Sequence, residues 1–133
     1  MKTTLRLWLL LLFALLICQF LLAGYGVGHG GELRESFDMH IVNGSVLLYG
    51  YLAAVVLALL ARPGAKTVAL TALGAALVGL QHLLAMLNAP GSLWGQSLFM
   101  IHALNGLGLI VLTFYLGVRV KWSMRTPEAA RAA

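Results

Sequence analysis

The sequence is poor in charged residues. Of its 133 residues, 10% are Asp, Glu, Lys or Arg, whereas a soluble domain carries about 25%. A soluble domain of this length needs a polar surface, and this chain has too few polar residues to build one. Since 61% of the residues are hydrophobic, the composition excludes an ordinary soluble globular protein and favours one domain that lies in a lipid bilayer.

Most motifs that mark a particular chemistry are also missing. The single cysteine, Cys18, excludes an intrachain disulfide, a Cys-x-x-Cys motif and the Cys-x-x-Cys-His motif that attaches haem covalently. There is no glycine-rich phosphate loop, and no pair of carboxylates is placed for acid–base catalysis. The motifs therefore give no indication of a stand-alone enzyme.

Four apolar segments are each long enough to cross a membrane, which takes about 20 residues. None of them contains Lys, Arg, Asp or Glu, and they comprise roughly residues 7–27, 39–61, 67–87 and 98–118. Pro63 and Gly64 stop a helix between the second and third segments and reverse the chain. We predict an all-α integral membrane four-helix bundle over residues 1–122, followed by a polar cytoplasmic tail over residues 123–133.

The basic residues lie almost entirely on one side of the predicted segments. Arg34 is on the opposite side from the other eight, which are Lys2, Arg6, Arg62, Lys66, Arg119, Lys121, Arg125 and Arg131. By the positive-inside rule this places both termini in the cytoplasm of a multi-pass protein, which we assign to a bacterial plasma membrane. The net charge of +5 is thereby explained by topology, and we expect no nucleic-acid partner.

A cleaved signal peptide is a second interpretation of the first segment. Lys2 and Arg6 precede an apolar run, as in a signal, but the run 7–27 is longer than the 7–15 apolar residues that are typical of signals. We therefore expect the segment to be retained as a helix.

The sequence repeats itself with an offset of 62 residues and no gap. The matches are Gln19 with Gln81, Leu21-Leu22-Ala23 with Leu83-Leu84-Ala85, Phe37 with Phe99, His40 with His102, and Asn43-Gly44 with Asn105-Gly106. Leucine matches are frequent in such a chain, but matches of Gln, His and Asn inside apolar segments are not. The repeat predicts two duplicated helical hairpins related by an axis near the membrane normal.

The repeated polar residues predict a site inside the bundle. His40, Asn43 and Gly44 share one helix face, because positions i, i+3 and i+4 lie together. The same spacing joins His102, Asn105 and Gly106. Polar groups in hydrocarbon usually face the bundle interior, and counting about 1.5 Å per residue from the basic ends places both stripes in the outer half of the membrane.

Two histidines on facing helices can bind a haem iron from opposite sides. We predict His40 and His102 as the axial ligands of a haem b, with His82 as an alternative ligand or propionate contact and Arg34 near the propionates. Gly44 and Gly106 allow close approach of a helix or a flat ligand. The predicted hydrogen-bond partners of the site are Asn43, Asn105, Gln19 and Gln81. Two other interpretations are that these side chains only bond helices together, or that the histidines handle another metal or protons.

This pattern of Gln19, Leu22-Ala23, a short outer loop, His40 and Gly44, with its second copy, resembles one hairpin of the haem A synthase family. The chain is also similar to a bacterial family of small four-helix membrane proteins of unassigned function. The resemblance covers roughly residues 10–120 and implies that His40 and His102 are axial ligands, because four-helix halves in the haem A synthase family each hold a haem between paired histidines. The chain corresponds to one such half and has no acidic residue within its spans. The resemblance thus implies haem binding rather than haem A synthesis.

These observations predict a small b-type cytochrome that exchanges single electrons with a quinol or a redox partner protein. Ligation by two histidines leaves no open iron position, which favours electron transfer over oxygen chemistry. An electron carrier or accessory subunit is better indicated than an enzyme. The alternatives are a cofactor-free structural or accessory membrane subunit, in a homo-oligomer or a larger complex, and a small transporter or metal-handling protein.

Overall fold

The computed structural model describes residues 1–29, 33–87 and 91–129, without the side chains of residues 33, 34 and 122–129. The described residues form four helices and no strand, which confirms the all-α prediction. The helices are α1 (Lys2–Gly28), α2 (Leu33–Ala61), α3 (Ala65–Met86) and α4 (Leu93–Ala129).

All four helices are long and apolar enough to cross a membrane. Each predicted segment falls within one helix, apart from residue 87 at the end of the third, but α2 and α4 begin about a turn or more before the predicted segments. Helix α4 also continues to residue 129, so that most of the segment predicted as a polar tail is helical. The sequence criterion detects only apolar residues, whereas polar residues such as Lys, Arg, Glu and Gln are also good helix formers.

The connection between α2 and α3 is a tight turn. Arg62 has a φ of 47° and Gly64 a φ of 110°, and a positive φ at Gly64 is free of the clash that a Cβ would make. The carbonyl oxygen of Gly64 accepts hydrogen bonds from the backbone N–H groups of Thr67 and Val68. The turn therefore makes α2 and α3 antiparallel neighbours, as Pro63 and Gly64 predicted.

The helices run alternately up and down and form a square. In the described part of the chain, each helix packs against the two that flank it, so that α1 lies diagonally opposite α3 and α2 diagonally opposite α4. The diagonal pair α2 and α4 meets on the central axis, where the hydroxyl groups of Tyr51 and Thr113 form a hydrogen bond.

The buried positions follow the offset of 62 residues. In each of the following pairs both residues are buried: Leu5 and Thr67, Leu9 and Thr71, Leu12 and Gly74, Leu16 and Val78, Leu47 and Leu109, Tyr51 and Thr113, Ala54 and Leu116, Ala58 and Val120. Residues that align in the sequence therefore occupy equivalent places in the bundle.

The outward faces of the helices are apolar. Leu21 is 69% exposed, Val111 is 68% exposed and Leu104 is 66% exposed. In water this surface would be unfavourable, whereas a hydrocarbon environment accepts it and the helices satisfy their own backbone groups. The bundle thus has the surface of a multi-pass membrane protein.

Candidate functional site

A cavity of about 570 Å³ lies inside the bundle, and all four helices line it. It occupies the end where α1 joins α2 and α3 joins α4, away from both chain termini. Its volume falls within the range of about 300–1,000 Å³ found for small-molecule and cofactor pockets. Leu47 and Leu109 line it one turn or so above the Tyr51–Thr113 contact and form its floor.

The cavity has two equivalent halves. Twenty of its lining residues form pairs 62 positions apart, and Val27 is the other one. The pairs are Leu16 with Val78, Gln19 with Gln81, Phe20 with His82, Ala23 with Ala85, Gly24 with Met86, Phe37 with Phe99, His40 with His102, Ile41 with Ala103, Gly44 with Gly106, and Leu47 with Leu109. This lining suits a ligand with two-fold symmetry, or a ligand that is bound from two opposite sides.

The structure brings His40 and His102 face to face across the cavity. Their ring centroids are 6.2 Å apart and the ring planes make an angle of 42°. An imidazole nitrogen lies about 2 Å from the metal that it binds, and the ring centre lies roughly 1 Å farther out, so that two ligands in line place their ring centres about 6 Å apart. The observed separation is thus close to that of two axial ligands on one metal.

The half of the site on α1 and α2 has a complete hydrogen-bond network. The His40 ring donates from Nδ1 to the carbonyl oxygen of Gln19 at 3.1 Å, and the Gln19 amide donates to the carbonyl of His40 at 2.9 Å. Asn43 donates to the Gln19 side chain at 2.6 Å and to the carbonyl of Leu15 at 3.0 Å. These bonds fix the His40 ring and leave its Nε2 as an acceptor or metal ligand.

The half on α3 and α4 repeats only part of this network. Asn105 donates to the carbonyl of Leu77 at 2.9 Å, the equivalent of the bond from Asn43 to Leu15. The backbone of Gln81 also interacts with the His102 ring, as Gln19 does with His40, but less closely than a well-formed hydrogen bond requires. Within the described part of the chain, however, neither Nδ1 of His102 nor Oε1 of Gln81 has a hydrogen-bond partner, although both atoms are buried.

Gly44 and Gly106, which are 62 positions apart, leave space for the glutamine side chains. A Cβ at position 44 would lie 3.3 Å from Nε2 of Gln19, and one at position 106 would lie 3.1 Å from Nε2 of Gln81. Each glycine thus leaves space for a glutamine side chain of the neighbouring helix.

The other predicted residues divide into those that reach the cavity and those that do not. His82 lines it, and its Nδ1 donates to the carbonyl of Val78 in its own helix at 3.0 Å. The side chain of Arg34 lies outside the described residues. His29 contacts Tyr25, with ring centroids 5.1 Å apart. Among the described residues no group of three or more His, Cys, Asp and Glu side chains could hold a metal ion.

Sequence reasoning gave no role to the aromatic residues of the site. Phe37 lies edge-on to the His40 ring, with centroids 5.9 Å apart, and Phe99 lines the cavity at the equivalent position. Each phenylalanine precedes its histidine by three residues, and the repeat itself contains both. That spacing on one helix face was a usable signal for their place beside the histidines.

Comparison with known proteins gives one match. The profile of DUF6220, a family of unknown function, matches residues 19–89, from the first glutamine of the site to just beyond α3. No curated protein and no solved structure matches the chain. The comparisons show no link to the haem A synthase family.

Proposed function

The chain belongs to DUF6220, a family of unknown function, and we propose that it is a small b-type cytochrome that holds one haem b between His40 and His102. The observation that carries this proposal is the opposed histidine pair, with ring centroids 6.2 Å apart inside an apolar cavity. A haem needs only two axial protein ligands. It therefore suits a site where two histidines lie opposite each other.

The donor set of the site fits this group. The His40 ring donates from Nδ1 to a backbone carbonyl, the partner that metal-bound histidines commonly have, and its Nε2 is left for the metal. The apolar lining and the phenylalanines beside the histidines would shield the flat faces of a macrocycle from water. Haem supplies reversible one-electron chemistry when bound, and the protein supplies the ligands and the dry environment.

The proposed setting is the plasma membrane of a bacterium, with both termini in the cytoplasm and the cavity in the outer half of the bilayer. The single-sided basic residues support the orientation, and the apolar outer surface supports the membrane location. A membrane quinol or a redox protein at the outer surface would be the electron partner. The equivalent burial and hydrogen bonds at positions 62 apart support an origin from two duplicated hairpins.

An absorption spectrum of the purified protein tests the proposal. After expression with excess haem, the dithionite-reduced protein should show the sharp bands of low-spin haem, at one haem per chain. His40→Ala and His102→Ala should each lose these bands, whereas His29→Ala should keep them because His29 is not among the described residues that line the cavity. A wild-type protein that folds but stays colourless would overturn the proposal.

One observation favours the cofactor-free alternative. Asn43 and Asn105 both donate to carbonyls of neighbouring helices, so the polar stripes do bond helices together. An accessory subunit without cofactor would keep its fold and its partner proteins in His102→Leu. Co-purification of a larger complex that survives this substitution, together with colourless protein, would establish that function instead.

A further inference from the structure

The two halves of the site differ in how firmly they hold their histidine. On α1 and α2, four hydrogen bonds connect Gln19, His40, Asn43 and the backbone of Leu15. The equivalent residues on α3 and α4 are the same amino acids, but in the described part of the chain they form one well-formed bond, from Asn105 to Leu77, and a weaker contact between the His102 ring and the backbone of Gln81. The sequence repeat is therefore not matched by a repeat of the network.

The half on α3 and α4 contains buried polar atoms whose hydrogen bonding is incomplete. Oε1 of Gln81 is buried without a hydrogen-bond partner among the described residues, and Nδ1 of His102 has only a weak contact with the backbone of Gln81. Leaving a buried polar atom unpaired costs free energy. A histidine whose Nδ1 has only a weak acceptor is also less well oriented and a weaker base toward a metal.

The half on α3 and α4 also differs in one lining residue, which is polar there and apolar in the other half. His82 lies where the other half has Phe20. Its Nδ1 donates to Val78, so its Nε2 is an acceptor that lines the cavity on the side of α3 and α4. Both departures from symmetry, the unpaired groups and the additional histidine, are thus on the same side.

We propose that the two axial positions have different roles: His40 is the permanent ligand and His102 is the displaceable one. This inference rests on the proposed haem function. With haem bound, His102 would yield its place to a small neutral ligand of ferrous haem, in the half of the cavity that holds His82 and Gln81. The exchange would replace the bond from His102 to iron by a bond from the incoming ligand, with no change in the oxidation state of the iron.

The repeat supplies matched variants for the test. His102→Gly should retain haem as a high-spin species that binds carbon monoxide when reduced and returns to low-spin on addition of imidazole. His40→Gly should retain at least tenfold less haem, because the remaining histidine, His102, has the weaker hydrogen bonding, and hydrogen bonds to a metal-binding histidine change metal affinity by about 10–100-fold. The readouts are the haem-to-protein ratio, the spin state from electron paramagnetic resonance, and the carbon monoxide difference spectrum.

A second pair of variants covers the case in which a glycine substitution unfolds a helix. Gln19→Leu removes the amide that bonds to His40 and Asn43 and should lower haem affinity about 10- to 100-fold. Gln81→Leu removes a side chain whose oxygen is unpaired and should change haem affinity by only a few-fold. The wild-type reduced protein should bind carbon monoxide, and His82→Phe should alter the carbon–oxygen stretching frequency of the bound probe, which a purely structural residue would leave unchanged.

The outcomes separate the two proposals. If the wild-type protein binds no haem, the proposed function fails. If it binds low-spin haem, but the two histidine variants and the two glutamine variants behave alike, the function stands and the asymmetry is overturned. Carbon monoxide that does not bind to the wild-type or to His102→Gly would also overturn it.

Discussion

At the scale of single residues, the central contact of the bundle is the hydrogen bond between the hydroxyl groups of Tyr51 and Thr113. The side chains are 0% and 1% exposed. Thr113 donates to the backbone carbonyl of Leu109 at 2.5 Å, so Tyr51 is the donor to Thr113. The pair thereby satisfies two hydroxyl groups in the middle of the bundle, where water is excluded.

Removal of the Tyr51 hydroxyl and removal of the Thr113 hydroxyl should lower the free energy of unfolding by different amounts. Tyr51→Phe should lower the free energy of unfolding by about 1 kcal/mol, because Thr113 keeps its bond to Leu109. Thr113→Val should cost about 1–3 kcal/mol, because it leaves the tyrosine hydroxyl buried without its acceptor. Reversible unfolding of the protein in detergent, followed by circular dichroism, measures both.

The double variant is the control for this pair. With both hydroxyls removed, the loss should be smaller than the sum of the two single losses, since no unpaired hydroxyl is left. Equal costs for the single variants and strict additivity in the double variant would contradict the assigned roles.

The sequence could predict the histidines but not this hydroxyl pair. His40 and His102 stand out because they are identical, polar and 62 residues apart in apolar segments. Tyr51 and Thr113 have the same offset, but tyrosine and threonine are not the same residue, and neither is rare in membrane helices. Only the diagonal placement of α2 and α4 shows that equivalent positions meet on the axis.

At the scale of helices, Gly74 sets how closely α3 can pack against α2. A Cβ at this position would come within 3.0 Å and 3.3 Å of ring carbons of Tyr51, whose ring is fully buried and has no free space to move into. Gly79 lies on the same helix, and a Cβ there would meet nothing within 4 Å. Gly74 and Gly79 therefore provide a test position and a control position on the same helix.

We expect Gly74→Ala to destabilise the bundle by about 1–3 kcal/mol, because overpacking forces the Tyr51 ring or the helix to shift. Gly79→Ala should instead be neutral or stabilising by up to about 1 kcal/mol, since alanine is the better helix former. The same detergent unfolding experiment compares them, and similar effects at the two positions would show that the helix contact at Gly74 is not a tight one.

Helix ends were less predictable than helix centres. The apolar segments predicted the cores of all four helices, but α2 begins at Leu33 and α4 runs on to Ala129. The residues added at these ends include polar and charged ones, and Glu35 in the first turn of α2 is favourable there. Hydropathy records where a helix enters hydrocarbon, and it says little about where the hydrogen-bonded backbone ends.

At the scale of the whole molecule, the alternating helices place both termini and the α2–α3 turn at one end and the cavity at the other. In a Cys18→Ala background, the variant Lys66→Cys should react with a membrane-impermeant maleimide only after the cells are broken and the reagent can reach the cytoplasmic side. A cysteine at Gln96→Cys should react in intact cells. Lys66 and Gln96 are both exposed, so reaction of the two sites from the same side would contradict the proposed orientation.

The overall architecture could be read from the sequence because each signal was strong by itself. The four apolar segments gave the helices, and the repeat of Gln, His and Asn indicated which helix faces meet around the cavity. The unequal hydrogen bonds of the two halves could not be predicted, because Gln, His and Asn are identical in both copies. The neighbours do differ, with Phe20 in one half and His82 at the equivalent place in the other.

The leucine floor of the cavity, formed by Leu47 and Leu109, has a consequence for how membrane voltage would act on the protein. Both side chains are buried, and they confine the cavity to the half of the bundle remote from the termini. With the proposed orientation, an electron that enters from the outer surface crosses less than half of the membrane field. Moving one charge through the whole field is worth about 2.3 kcal/mol per 100 mV, so electron entry from outside would depend only weakly on the potential that the cell maintains.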